Sequence, residues 1–222
     1  MATWRVKLSR VGGARWQTPQ DYACAVRDAA LAGGLPVLRA KGDRGPWRVI
    51  TGAPPAVGQV SRGDYVDVEL QGPLTARTAA SRLRAHLPPG MELLWMGRLP
   101  PGAPAIHRAV QSIRYAVWST CWDSNRIAAF EAAAHWPCLR KKQDKTQEFD
   151  LKTCISRLEA DGPQLRFDTA VRAEGVPKPY ETVSALFCIP RAEAILLPVE
   201  RLGVRLDRSR SSPIVEYLCQ NW

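Results

Sequence analysis

The stretch Trp4–Arg48, WRVKLSRVGGARWQTPQDYACAVRDAALAGGLPVLRAKGDRGPWR, decides how the rest of the chain is read. It opens on W-R-V-K-L, apolar and basic residues in alternation, the period of a strand with one buried face. Gly12 and Gly13 break that strand. Thr18 then stands as an N-cap and Pro19 takes the first helical position. Asp21 lies in the first turn, where the helix dipole favours an anion. Tyr22, Val26, Ala29 and Ala30 recur at helical spacing, and Gly33-Gly34 ends the helix before a second apolar run, Leu35–Leu38. The stretch reads strand, helix, strand, with a basic loop, Lys41–Arg48, at its end.

Working outward, Pro46–Ile50 reads as a short edge strand and Gly52–Gly58, with Pro54-Pro55, as a connector. Asp64–Leu70 alternates as a strand, Thr75 caps a helix over Ala76–His86, and Pro88-Pro89-Gly90 stops it before a strand at Met91–Leu99. Strand, helix, strand, strand, helix, strand is the split βαβ order of a ferredoxin-like domain. Pro100–Pro104 cannot sit in a central strand and reads as a linker.

The second half repeats the plan. A strand at Ile113–Trp118 precedes a helix at Asn125–His135 capped by Ser124. Cys138–Arg140 and Gln147–Leu151 form a hairpin, and Ile155–Leu158 and Leu165–Val171 flank the Asp161-Gly162 turn. Pro179 opens a last helix to Phe187, and Ile195–Leu206 is a last strand. The fold class expected is α+β, two tandem ferredoxin-like units with antiparallel sheets. The first covers residues 1–99, a linker 100–108 and the second unit 109–206. The tail, 207–222, would dock through Ile214, Tyr217, Leu218 and Trp222 or order on a partner.

Composition narrows the function classes. With 45% apolar and 23% charged residues over 222 positions, the chain reads as a globular protein. It has no run of the roughly 20 apolar residues a membrane span needs, and no apolar signal core, so a cytoplasmic location is expected. Cys24, Cys121, Cys138, Cys154, Cys188 and Cys219 include no close-spaced pair, so neither an iron–sulfur cluster nor a structural zinc site is expected. The net charge of +10 is uneven: residues 1–110 hold 15 Lys and Arg against 7 Asp and Glu, whereas 111–222 hold 16 against 14. A basic first half attracts phosphate-bearing or acidic partners.

The leading candidate site is a basic, aromatic face built from Arg5, Lys7, Arg10, Arg15, Trp16, Lys41, Arg44, Trp47 and Arg48, with the tryptophans as stacking platforms. Its bland counterpart is a hairpin loop with Trp47 in the core. Arg140, Lys141, Lys142 and Lys145 form a second basic tip that suits phosphate contact or simply a solvated turn. No catalytic set assembles. His86 and His107 lack a nearby nucleophile, His135 with Cys138 is a weak pair, and Asp64, Asp67 and Glu69 read as a polar strand face before a metal site.

Taken together, W-R-V-K-L-S-R-V-G at Trp4–Gly12, R-D-A-A-L-A-G-G-L-P at Arg27–Pro36, D-Y-V-D-V-E-L at Asp64–Leu70 and L-R-A-H-L-P-P-G at Leu83–Gly90 resemble the radical-SAM-linked proteins. K-T-Q-E-F-D-L at Lys145–Leu151 and K-P-Y-E-T-V-S-A-L-F at Lys178–Phe187 also fit. That family is found beside, or fused behind, cobalamin-binding radical S-adenosylmethionine enzymes. The resemblance implies an accessory subunit that binds no cofactor itself. Its partner enzyme would carry the iron–sulfur cluster, S-adenosylmethionine and cobalamin. Trp16–Asp21 replaces a His-containing stretch of the family, and Lys41–Trp47 replaces an aromatic, proline-rich loop. The alternative expectation is an RNA-binding protein using the basic half, or one that takes a phosphorylated substrate. Tandem ferredoxin-like endonucleases of CRISPR systems rely on a histidine near the first helix and a late Gly-rich loop. Here that histidine is missing and the only late glycine is Gly203.

Overall fold

A computed structural model describes residues 1–40, 44–120, 122–142, 145–172 and 175–207; the side chains of Lys141, Lys142 and Lys145 lie outside that description. The chain divides into two compact units, one of residues 1–110 joined by the chain from Gly203, the other Gln111–Leu202. The architecture is α+β with mostly antiparallel strand pairing.

In the first unit the alternating W-R-V-K-L lies within β1 (Ala2–Arg10). The unit also holds β2 (Val49–Thr51), β3 (Val60–Leu70) and β4 (Met91–Arg98), with β1 between β4 and β3 and β2 paired to β3. All three pairings are antiparallel, with Val6 opposite both Val66 and Met96. Trp4, Val6 and Leu8 of β1 and Val66, Val68 and Leu70 of β3 form one core with Tyr22, Val26, Ala29 and Ala30 of α1 (Pro19–Ala32). Ala79 and Leu83 of α2 (Ala76–Arg84) complete it.

Local chemistry sets the start of α1 as the sequence implies. The Asp21 N–H donates to Thr18 Oγ1 and the Thr18 N–H to Asp21 Oδ2, both 3.2 Å, a reciprocal capping box with Pro19 following. The Gly12-Gly13 break is a 3₁₀ helix, Gly12–Trp16. The second apolar run contributes only a bridge, Val37 opposite Leu70. Pro36 brings no N–H to the ladder, and beyond Leu38 Arg39 bridges to Trp47. Ala40 N–H donates to the Pro46 carbonyl and Arg48 N–H to that of Leu38, so regular pairing resumes at Val49.

Gly90 closes the turn into β4 at φ +85°, its carbonyl accepting from Val11 N–H at 2.8 Å. A β-carbon there would stand 2.4 Å from the Val11 carbonyl oxygen. Gly90→Ala therefore combines a left-handed backbone with a backbone clash, and should lower stability by about 2 kcal/mol, read as a lower urea midpoint at unchanged slope.

The opposite face of this sheet is covered too. The proline-rich stretch leads into α3 (Ile106–Ala109), where Ile106 and Ala109 are fully buried. The Ile106 N–H donates to Asp67 Oδ2 at 2.8 Å. Residues 104–109 thus belong to the first unit.

In the second unit β5 (Val110–Trp118), β9 (Gln164–Ala170) and β8 (Ile155–Asp161) lie side by side in that order, and β10 (Val199–Leu206) contributes its residues up to Leu202. Tyr115 stands opposite Phe167 across β5 and β9, ring centroids 5.9 Å apart. A separate hairpin, β6 (Pro137–Lys142) with β7 (Lys145–Asp150), precedes the short α5 (Leu151–Cys154).

Two expectations are corrected here. Asp123, not Ser124, caps α4 (Ser124–Ala132), accepting from Asn125 N–H at 2.8 Å, and Ala133 turns extended before His135. After α6 (Pro179–Phe187) the left-handed Cys188 ends the helix, and Pro190 initiates another, α7 (Arg191–Ala194). The last strand therefore begins at Val199 rather than Ile195. The tail residues Ile214, Tyr217, Leu218 and Trp222 lie outside the described residues.

Candidate functional site

Arg5 and Arg10 leave the expected basic face, since both are buried. Arg5 donates from Nε and an Nη to the two oxygens of Asp67 at 2.7 and 2.9 Å, and from the same Nη to the Pro104 carbonyl at 2.8 Å. Arg10 donates to the carbonyls of Gln17, Pro55 and Ala56, with its guanidinium 5.5 Å from the Tyr22 ring centre. Alternation in β1 implied one solvated face, but residues 104–109 and the 55–56 connector cover what the helices do not. These two cations hold the fold.

The remaining members fall into two local groups. In the first, Trp16 is exposed with the Arg15 guanidinium 4.8 Å from its ring centre. The Gly58 N–H donates to the Arg15 carbonyl at 2.8 Å, and a β-carbon on Gly58 would approach the Trp16 ring to 2.9 Å. Val57 beside it is exposed as well. Neither Val57 nor Gly58 carried a sequence signal, because their proximity to Trp16 is made by the path of the connector before β3. In the second group Trp47 packs partly against the core, with the Arg39 guanidinium 3.8 Å from its ring centre. Arg48 pairs with Glu69 at 3.0 Å, and Arg44 is exposed. Lys7 is half-buried with its ammonium 5.7 Å from the Tyr65 ring centre. Lys41 lies outside the described residues.

Arg140, expected at a basic tip, is also structural. It donates from Nε and an Nη to both oxygens of the buried Glu181 at 2.8 and 2.6 Å, and to the Val176 carbonyl at 2.7 Å. Burial alone would raise the Glu181 carboxyl pKa. The Arg140 hydrogen bonds and the Lys178 N–H at 2.8 Å outweigh it and hold the group below its ordinary value. Cys138 is buried and its thiol donates to the Glu181 carbonyl at 3.6 Å. Burial, with the Glu181 charge adding, pushes its pKa up to about 11, so it stays an unreactive thiol at neutral pH.

His135 does not activate that thiol. Its Nδ1 lies 2.9 Å from Asp150 Oδ2, a hydrogen bond that raises the imidazole pKa. Asp67 is committed to Arg5 and Glu69 to Arg48. Among the described residues no cluster of His, Cys, Asp and Glu is arranged to hold a metal ion.

A family described as an uncharacterised protein conserved in bacteria (DUF2344) matches residues 4–179. The chain belongs to that family. Comparison with curated proteins finds no match.

The part of this DUF2344 protein that matches runs from β1 to the first residue of α6, and so includes the Arg15–Trp16 turn, the Arg39–Trp47 stack and Arg140. It also includes Arg114, Arg157 and Arg166, which strand register gathers on the second unit and which no sequence motif marked. No helix among the described residues is long and apolar enough to cross a membrane.

Proposed function

We propose that this chain is a non-catalytic accessory subunit that docks onto a cobalamin-dependent radical S-adenosylmethionine enzyme and helps to present its substrate. In this reading each half is a ferredoxin-like scaffold. Support for the scaffold comes from the neighbour order β4–β1–β3, with β2 on β3, and from the corresponding order β10–β5–β9–β8, with the β6–β7 hairpin apart from it.

The observation that carries the proposal is Trp16. It is 60% exposed, with the Gly58 backbone and the Arg15 guanidinium against its ring, and the exposed Val57 stands next to Gly58. A solvent-facing tryptophan beside an arginine is the kind of anchor that carries binding energy at protein interfaces. Of the acid–base and nucleophilic candidates, Asp67 and Glu69 are paired with Arg5 and Arg48, and Cys138 is buried. The sequence resemblance supplies the identity of the partner.

Trp16→Ala tests this. The melting temperature should stay within the range of a surface substitution, since the ring buries little of itself. Affinity for the partner enzyme, measured anaerobically with purified components, should fall about 30-fold or more. Unchanged affinity would place the interface elsewhere and remove the observation on which the proposal stands.

A further inference from the structure

We infer that the second unit carries a binding site for the phosphoryl group of a small phosphate ester, formed by Arg114, Arg157 and Arg166. These side chains, with Glu159, Gln164 and Leu202, line one concavity of about 590 Å³, within the range of small-molecule sites. The inference goes beyond the accessory reading and does not depend on it.

The site is assembled by register. Arg114 on β5 stands opposite Asp168 on β9, and Asp168 stands opposite Ser156 on β8, while Arg166 faces Glu159. Asp168 is buried, and its carboxylate accepts from Arg114 Nε at 2.7 Å and from one Nη at 3.3 Å. It also lies 3.9 Å from Arg157 Nη1. The buried carboxylate thereby orients Arg114, lies near Arg157, and leaves the other amino group of Arg114 for a ligand. Arg166 is oriented from the other side by Gln164 and, at 3.6 Å, by Asp161.

Arg157 is the informative residue. It sits in the irregularity between Ser156 and Glu159 with φ 54°, a left-handed backbone that disfavours any side chain like arginine and that glycine adopts freely. A bulge of this kind re-aims a side chain. Among the described residues Arg157 meets Asp168 only at 3.9 Å and its side chain is 54% exposed, so that contact contributes little to stability. A strained backbone kept for so weak an internal contact points to a task outside the fold. Planar guanidinium forks match the oxygens of a phosphoryl group, and the donors they present remain although Asp168, Asp161 and Glu159 offset their charge. Glu159 and Gln164 at the rim offer acceptors for a hydroxyl or amino group carried by the same ligand.

The experiment is calorimetric titration of the full chain with inorganic phosphate and with adenosine 5′-monophosphate at low salt. Saturable binding that weakens with added salt is expected. In Arg157→Gly the melting temperature should hold or rise, because glycine relaxes the left-handed position, while affinity falls at least about tenfold. Arg166→Gln should likewise weaken binding, without relieving backbone strain. Absence of saturable binding up to about 10 mM, or wild-type affinity in Arg157→Gly, would overturn the site. A 5′-hydroxyl RNA oligomer, whose phosphodiesters carry one charge each and no terminal phosphoryl group, is added in competition. The mononucleotide should be retained; its displacement at matched phosphate concentration would overturn the assignment to a small phosphate ester.

Discussion

Asp67→Ala is expected to destabilise the first unit by about 3–5 kcal/mol, the cost of stranding a buried charge without its partner. Asp67 is almost wholly inaccessible, and its two oxygens receive Arg5 Nε, Arg5 Nη and the Ile106 N–H within 2.7–2.9 Å. Removing the carboxylate leaves the Arg5 guanidinium with the Pro104 carbonyl alone among these contacts, and leaves the Ile106 N–H without its acceptor. The double substitution Arg5→Met with Asp67→Leu should recover part of the loss, since it removes both charges together. It does not recover all of it, because the Ile106 N–H still loses its acceptor. Urea unfolding followed by tryptophan fluorescence measures both. Equal stability of Asp67→Ala and wild type would contradict the pairing.

Glu181→Ala should be comparably costly to the second unit, about 3–5 kcal/mol by the same reasoning. Glu181 is 3% exposed and fixes Arg140 through two hydrogen bonds, approaches Arg191 at 3.6 Å, and accepts the Lys178 N–H at the start of α6. The pH dependence has a definite sign. Because folding lowers this carboxyl below its ordinary value of 4.5, its contribution is fully present above about that pH and disappears as pH falls through the lower folded value. Wild type should therefore lose stability on acidification below about pH 4.5 more steeply than Glu181→Gln, which has no such group to protonate. Parallel acid profiles for the two proteins would show that Glu181 is not held ionised.

The parts of the fold that were legible in sequence are those decided by chemistry within a few residues. Thr18-Pro19 and Asp21 make a capping box wherever the following turn is helical, and Asp161-Gly162 sits at the turn between β8 and β9. The alternation at Asp64–Leu70 lies within β3, and Pro179 opens α6. What failed was the inference from alternation to exposure. W-R-V-K-L says that one face of β1 is apolar; it does not say that Pro104 and Ile106, a hundred residues later, cover the other face and require Arg5 to have a partner there. Arg10 was misplaced for the same reason, its acceptors arriving from Pro55 and Ala56.

The candidate site was legible only in its residue types. Trp16 and Arg15 stood out as an aromatic beside a cation, but Val57 and Gly58 reach them only through the fold. The Arg114, Arg157 and Arg166 group depends on the register of three strands and on one left-handed residue, and neither leaves a periodic trace. Lys41, Cys121, Cys219 and the side chains of Lys141, Lys142 and Lys145 lie outside the described residues.

The measurement that bears most directly on the proposed role is an anaerobic affinity capture of the tagged chain from its own cells, washed at high salt, with protein and nucleic acid in the eluate both identified. The accessory role requires a protein carrying an iron–sulfur cluster and binding cobalamin, retained through the wash as a desolvated apolar interface would be. Recovery of RNA alone, lost as salt rises in the manner of phosphate contacts, would contradict it.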